Sequence, residues 1–198
     1  MAQHLRKSRD EAVAPATEKV GHLDANQIYR AQGAFVWRNL RRLGIPENMV
    51  EDVLQDVFVV VHRRLAEFES RSSLKTWLFG IVLRVVKTHR RSQQRRRVLL
   101  DGLATEAEVE SDAPNAENDP AQMIARRQAS RLLHRLLDQL DDDKRALLVS
   151  VDLEEMTIAE AAEAMNLNAN TAYSRLKIAR QEFQDAVMRH LETERSAV

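Results

Sequence analysis

Between Asp101 and Pro120 the chain reads DGLATEAEVESDAPNAENDP, a stretch with seven acidic side chains, two Pro, one Gly and no Lys or Arg. Charge that repels itself, with few apolar groups to bury, cannot offset the entropy of ordering, so these residues cannot form part of a packed core. They divide the chain. Residues 1–22 read as a polar, mixed-charge tail, 23–100 as a first small domain, 101–120 as an acidic linker and 121–198 as a second small domain, each block within ordinary domain size. A flexible linker of this length reaches roughly 25 Å. The expectation is two compact units with separate interiors that can grip well-spaced sites on a large partner.

The formal net charge is zero, with 30 basic and 30 acidic residues, but the charge is segregated. Residues 21–100 hold 15 basic and 7 acidic groups, and most of the excess lies in the run RVVKTHRRSQQRRR from Arg84 to Arg97. A cationic block beside an anionic segment points to a polyanion partner for the first domain. The chain contains no Cys, which excludes disulfides, thiolate metal sites and thiol nucleophiles. The longest apolar runs, such as Val57–Val61, are far shorter than the ~20 residues of a membrane span, and the N-terminus carries no apolar signal core. A cytoplasmic protein is expected.

Apolar spacing makes both blocks helical. Asp24 can cap a helix with Ile28, Phe35, Val36, Leu40 and Leu43 on one face, ending at Gly44. A second helix starts after Pro46, with Val50, Val53, Leu54, Val57, Phe58, Val61 and Leu65 recurring at three- and four-residue steps. Its flanks keep Glu51, Asp52, Gln55 and Asp56. After the polar break Glu67–Ser73, a third helix carries Leu74, Trp77, Leu78, Ile81, Val82 and Val85 into the basic run. Three helices with short connections make a small bundle. Trp77 lies on the buried stripe and reads as core.

In the second block, Met123, Ile124, Leu132, Leu133, Leu136, Leu137 and Leu140 mark a helix after Pro120, and Asp141–Asp143 suit the start of another that runs through Leu148. Thr157 and Glu160 form a capping-box pattern at the head of the short helix TIAEAAEAMN. Asn166 occupies the turn, where a left-handed backbone is needed, and a long helix resumes near Asn170, expected to bury Tyr173, Leu176, Ala179, Phe183 and Val187. This is a helix-turn-helix pattern. At ~100° per residue, Thr171, Ser174, Arg175 and Ile178 face away from that stripe, as residues reading a DNA groove must, and Lys177 and Arg180 flank them as phosphate contacts.

Enzyme chemistry finds no support. His4, His22, His62, His89, His134 and His190 are scattered without metal-ligand spacing, and neither a Gly-rich phosphate loop nor a nucleophile elbow occurs. No catalysis, metal or cofactor is expected.

From about Ile28 to His190 the chain resembles the extracytoplasmic-function sigma factors, the smallest members of the sigma-70 family of bacterial transcription initiation factors. The resemblance rests on EDVLQDVFVVVHRRLAEFE, RSSLKTWLFGIV, the basic run, the acidic linker and LDQLDDDKRALLVSVDLEEMTIAEAAEAMNLNANTAYSRLKIARQEF, in that order. It implies an all-α protein in which a region-two bundle and a region-four helix-turn-helix bind core RNA polymerase, recognise a two-part promoter and help to open it.

Carried over residue by residue, the resemblance makes Asp52, Gln55, Asp56, Val59 and Val60 the polymerase-docking face. Arg71, Ser72, Ser73, Lys75, Arg84, Lys87, Arg90 and Arg91 become contacts to the proximal promoter element, where unstacked bases are captured. Asn170, Thr171, Ser174, Arg175, Lys177 and Arg180 become contacts to the distal element. Many members carry Asn near position 84, and Arg84 departs from that pattern. The linker would imitate nucleic acid in the polymerase's cationic channels, and an anti-sigma factor is the implied inhibitor. The main rival reading is a dimeric helix-turn-helix regulator that binds operators without polymerase; a second is an interaction module whose basic run contacts RNA or an acidic protein.

Overall fold

The computed structural model describes residues 24–99 and 120–196; the expected tail, and the expected linker apart from Pro120, lie outside them. Among the described residues the regular elements are all helical: α1 (Ala25–Arg42), α2 (Glu47–Arg64), α3 (Leu74–Leu99), α4 (Pro120–Leu137), α5 (Asp142–Leu148), α6 (Ile158–Met165) and α7 (Ala169–Ser196). A 3-10 turn, Leu65–Glu67, extends α2, and a π turn, Val149–Leu153, extends α5.

Local chemistry sets the element ends. Asp24 and Gln27 form a capping box on α1. Gly44, at φ +84°, ends that helix: its N–H donates to Arg41 O at 2.9 Å while Ile45 N–H donates to Leu40 O at 3.0 Å, the paired bonds of a Schellman motif. The same motif recurs at α6. Asn166 adopts φ 55°, its N–H donates to Glu163 O at 3.0 Å, and Leu167 N–H donates to Ala162 O at 2.8 Å. Asn is among the few residues besides Gly that take this conformation cheaply. Asp141 caps α5 by accepting from Lys144 N–H, and Thr157 with Glu160 completes the capping box expected from sequence.

α1, α2 and α3 close around Ile28, Val36, Leu40, Val50, Val53, Val57, Val61, Leu78, Phe79, Ile81 and Val82, all essentially buried. A second, smaller cluster of Leu147, Ala161, Ala162, Ala172 and Leu176 holds the helix-turn-helix together. The two blocks are not separate, contrary to the expectation of independent interiors. Leu137, Leu140, Ala146, Leu148, Val149, Met156 and Ala179 join the core of the first block in one continuous buried set. Backbone meets backbone closely where Gly80 of α3 faces Ala164 of α6: a Cβ on Gly80 would lie 3.3 Å from the Ala164 carbonyl oxygen. Two small residues let the helices touch.

Two apolar positions depart from their expected burial. Tyr173 is exposed, because the inward stripe of α7 runs through Ala172, Leu176, Ala179 and Ala186, one position earlier than expected. Ile124 of α4 is likewise exposed. The helix from Asp142 also continues past Leu148 as the π turn, whose wider winding changes the phase of the following residues and leaves Glu154 buried.

Candidate nucleic-acid and polymerase interface

The outer face of α2 is built by alternation. Val53, Leu54 and Val57 turn inward, so Asp52, Gln55, Asp56 and Val59 are exposed and Val60 is half-buried at the edge. Neither Asp52 nor Asp56 has an ion-pair partner among the described residues. A surface of two carboxylates and an amide beside an exposed Val suits a basic partner with apolar anchors. Tyr29 of α1 extends the apolar part, half exposed, with its ring edge against Phe58 at 4.8 Å.

Before α3 the chain turns through Ser70, at φ 54°, and Arg71 projects into solvent in an ion pair with Glu69. Ser73 caps α3: its Oγ accepts from Thr76 N–H at 3.1 Å, and its hydroxyl is 2.8 Å from that of Thr76. Phe68 and Trp77 lean together at 5.0 Å, which places the indole on the edge of the core as the sequence indicated. Ser72 is half-buried. Lys75 reaches across to the second block, donating from Nζ to Glu154 O at 2.6 Å, with its cation 5.4 Å from the centre of the Phe35 ring.

Arg84, Lys87 and Arg91 are exposed along α3, and Arg90 is half-buried. Two of them are engaged within the chain. Lys87 Nζ donates to Asp143 Oδ1 at 3.1 Å, and Arg90 pairs with Asp142 while also donating to Leu43 O.

On α7, Asn168 caps the helix by accepting from Thr171 N–H at 2.7 Å. Asn170, Ser174, Lys177 and Ile178 are exposed, and Thr171 and Arg175 are half-buried. Arg175 donates to Asp143 Oδ2 at 3.0 Å. Arg180 forms a bidentate pair with Asp152 of the π turn, at 3.0 and 2.6 Å. Both cations therefore already hold carboxylates.

The residue that sequence reasoning missed is Glu154. Its side chain is only 3% exposed and meets three cations of the first block: Arg38 Nε at 3.1 Å, Arg42 Nη1 at 2.6 Å and Lys75 Nζ at 3.5 Å. Burial alone pushes the carboxyl pKa up. The Arg38 hydrogen bond and the charges of Arg38, Arg42 and Lys75 outweigh it and leave the group below the ordinary glutamate range, so it is ionised. At Arg42 burial lowers the pKa and Glu154 offsets only part of that. Glu160 joins the same seam by accepting from Thr76 Oγ1 at 3.2 Å. No local pattern marked Glu154, because its partners lie 79 to 116 residues earlier in the chain.

Among the described residues no group of His, Cys, Asp and Glu could hold a metal ion, and no helix is long and apolar enough to cross a membrane.

A basic helical bundle followed by a capped helix-turn-helix defines a DNA-binding protein of transcription. The Sigma-70 region 2 model matches residues 28–96 and the Sigma-70 region 4 model matches residues 130–183. The RNA polymerase sigma factor NccH of Alcaligenes xylosoxydans xylosoxydans is 30% identical over 87% of this chain and 91% of its own. The ECF RNA polymerase sigma-E factor of Escherichia coli is 28% identical over 72% of this chain and 76% of its own. Two solved structures share the fold at 22% identity. CnrH in complex with the cytosolic domain of CnrY matches with a TM-score of 0.59 over 82% of this chain and 86% of that one. The sigma factor RpoE in complex with the anti-sigma factor NepR, from Bartonella quintana, matches with a TM-score of 0.62 over 81% and 96%. The chain belongs to the sigma-70 family, as an RNA polymerase sigma factor of the extracytoplasmic-function type.

Proposed function

We propose that this chain works in the cytoplasm by docking on core RNA polymerase through Asp52, Gln55, Asp56, Val59 and Val60, and by placing two DNA-reading surfaces on one promoter. The observation that carries this reading is the α2 face, where acidic groups without ion-pair partners among the described residues stand beside an exposed Val59 on a helix whose opposite stripe is buried. Arg71, Ser72, Ser73 and Lys75 lie at the turn before α3 and its first residues, and form the place for a base taken out of the stack. Arg84, Lys87, Arg90 and Arg91 follow along α3 as phosphate contacts, with a strong salt dependence. Asn170, Thr171, Ser174 and Arg175 read the distal element, and Lys177 and Arg180 hold its backbone. The protein supplies specificity and strand opening rather than bond chemistry.

A domain division at the acidic segment, with region two over 23–100 and region four over 121–198, agrees with the two family matches. The solved neighbours carry CnrY and NepR as partners, which favours an inhibitory protein of that kind for this chain as well. A dimeric operator-binding regulator is not favoured, since such a protein has no use for region two.

Capture on core polymerase followed by transcription from a fork-junction template tests the assignment. Replacing both Asp52 and Asp56 by Lys is expected to abolish capture while circular dichroism stays unchanged. Full capture by that variant removes the docking face.

A further inference from the structure

We propose that the cleft between α4 and α7 of the second block binds a small ligand carrying a phosphate group, at a site apart from the surfaces assigned to polymerase and promoter.

Helical spacing builds the cleft. α4 presents Leu132, Arg135, Leu136 and Gln139 to it. α7 presents Ala186, Arg189, His190 and Thr193. Each set follows the i, i+3, i+4, i+7 pattern, so each is one face of its helix and the two faces look onto the same space. Leu136 and Ala186 are buried and form the floor. The small Ala186 accounts for the hollow: a methyl group where a larger side chain would fill the gap leaves a cavity of about 280 Å³.

The rim is cationic and its charge is unmatched. Arg135 and Arg189 are exposed, and neither has an ion-pair partner among the described residues. Arg189 Nη2 donates to the neutral Gln139 Oε1 at 3.1 Å, which holds the guanidinium across the cleft without cancelling its charge. The neighbouring carboxylates serve other groups. Asp138 pairs with Arg145 at 2.9 Å, and Glu194 lies 3.5 Å from His190 Nε2. Elsewhere in this block the chain supplies its own anions, Asp143 for Arg175 and Asp152 for Arg180. Two guanidinium groups left without a carboxylate at one hollow are a place for an anion from outside.

Size and chemistry select the ligand. The volume lies just below the ~300–1,000 Å³ of pockets for drug-sized molecules, and a helix ~10–12 Å across does not enter it. Planar guanidinium forks take phosphate oxygens at two points each, and Gln139 and Thr193 add hydrogen-bonding groups. Arg189 stands nine residues beyond Arg180, the last assigned DNA contact, or about 14 Å along the helix, so ligand and promoter do not compete. A ligand that bridges α4 and α7 binds only the folded block and stabilises it by mass action.

Free phosphate and the phosphate of a nucleotide share this chemistry, and the test separates them. Inorganic phosphate and adenosine monophosphate are titrated separately into the full-length chain at constant ionic strength, with chloride as the control anion, and binding is read by calorimetry and by backbone amide signals. Saturable binding is expected to shift the amides of residues 132–139 and 186–193. Equal affinity for the two probes means that the phosphate group alone is read, and binding of adenosine monophosphate tighter by about tenfold or more means that a nucleotide is the ligand. Arg135→Gln with Arg189→Gln is expected to weaken binding by about tenfold or more, with circular dichroism and duplex binding unchanged. Ala186→Leu fills the hollow without changing the charge and is expected to weaken it likewise; if that variant does not fold, the arginine pair decides. Absence of binding by either probe at millimolar concentration, shifts confined to residues 84–97 and 170–180, or an affinity that survives loss of both arginines overturns the inference.

Discussion

Gly80 of α3 faces Ala164 of α6 so closely that a Cβ on Gly80 would lie 3.3 Å from the Ala164 carbonyl oxygen and 3.6 Å from its Cα. The contact joins α3, the basic helix of region two, to the first helix of the helix-turn-helix. Both residues are small, and backbone rather than a flexible side chain receives the added atom. Ala at position 80 needs a shift of a few tenths of an ångström, and a branched side chain needs far more.

Gly80→Val is therefore expected to wedge the blocks apart while leaving each block folded. Helix content should hold, because replacing Gly within a helix costs nothing in propensity. The hydrodynamic radius should rise, and the segment between the blocks should be cut faster by protease. An unchanged radius would show that the α3–α6 contact does not hold the blocks together.

Thr157→Ala removes the hydroxyl half of the α6 capping box, in which Thr157 Oγ1 accepts from Glu160 N–H at 3.2 Å, and leaves the other half, in which Glu160 Oε2 accepts from the N–H of residue 157 at 2.9 Å. The expected loss is about 1 kcal/mol. Glu160 is held below the ordinary glutamate range, first by the Thr157 N–H, which alanine keeps, and also by the Thr157 hydroxyl, which donates to Oε2 at 2.8 Å and is lost, so the effect should shrink as acid protonates the carboxylate. Urea midpoints at neutral and acid pH measure both parts. Equal losses at the two pH values would mean that the Thr157 hydroxyl bond to the Glu160 carboxylate contributes nothing.

These local features were legible because each is decided by neighbours in sequence. The capping box is read from a three-residue spacing, the turn at Asn166 from one of the few residue types besides Gly that take its backbone cheaply, and α2 from a strong Val repeat after Pro46. Tyr173 was misplaced because its stripe runs through Ala172 and Ala179, and alanine gives a weak hydrophobic signal beside a tyrosine. Glu154 was invisible for another reason. Its burial depends on a π turn that alters the helical phase, and its partners Arg38, Arg42 and Lys75 come from another block. The cations that suggest nucleic acid also suit carboxylates of the same chain, and charge alone does not say which the free protein chooses.

Acid should loosen the seam between the blocks. The Glu154 pKa is depressed in the folded chain, so its contribution is complete above the ordinary glutamate range and disappears as pH falls through the depressed value. Arg38 and Lys75 are partly exposed and recover water when released, so the contribution is nearer the ~1 kcal/mol of a surface pair than the ~3–5 kcal/mol lost on breaking a fully buried one. Stability measured across this acid range should fall less steeply in Glu154→Gln than in the unsubstituted protein. Parallel curves would exclude Glu154 as the titrating anchor.

Arg175 and Arg180 sit on the same helix but are held differently, and the difference predicts different roles. Arg175 makes a single hydrogen bond to Asp143 of α5, whereas Arg180 is bound at two points by Asp152 of the π turn, both partners lying in the same block. One hydrogen bond yields to a competing phosphate or base more readily than a bidentate pair does. In an Asp143→Asn background, Arg175→Ala should cost about 1–3 kcal/mol at one base position and relax preference there, as scored by selection from a randomised duplex library. Arg180→Ala should weaken binding evenly across sequences and reduce the salt slope by about one. If Arg175→Ala lowers affinity equally for every duplex, the side chain contacts phosphate, and distal recognition passes to Asn170, Thr171 and Ser174.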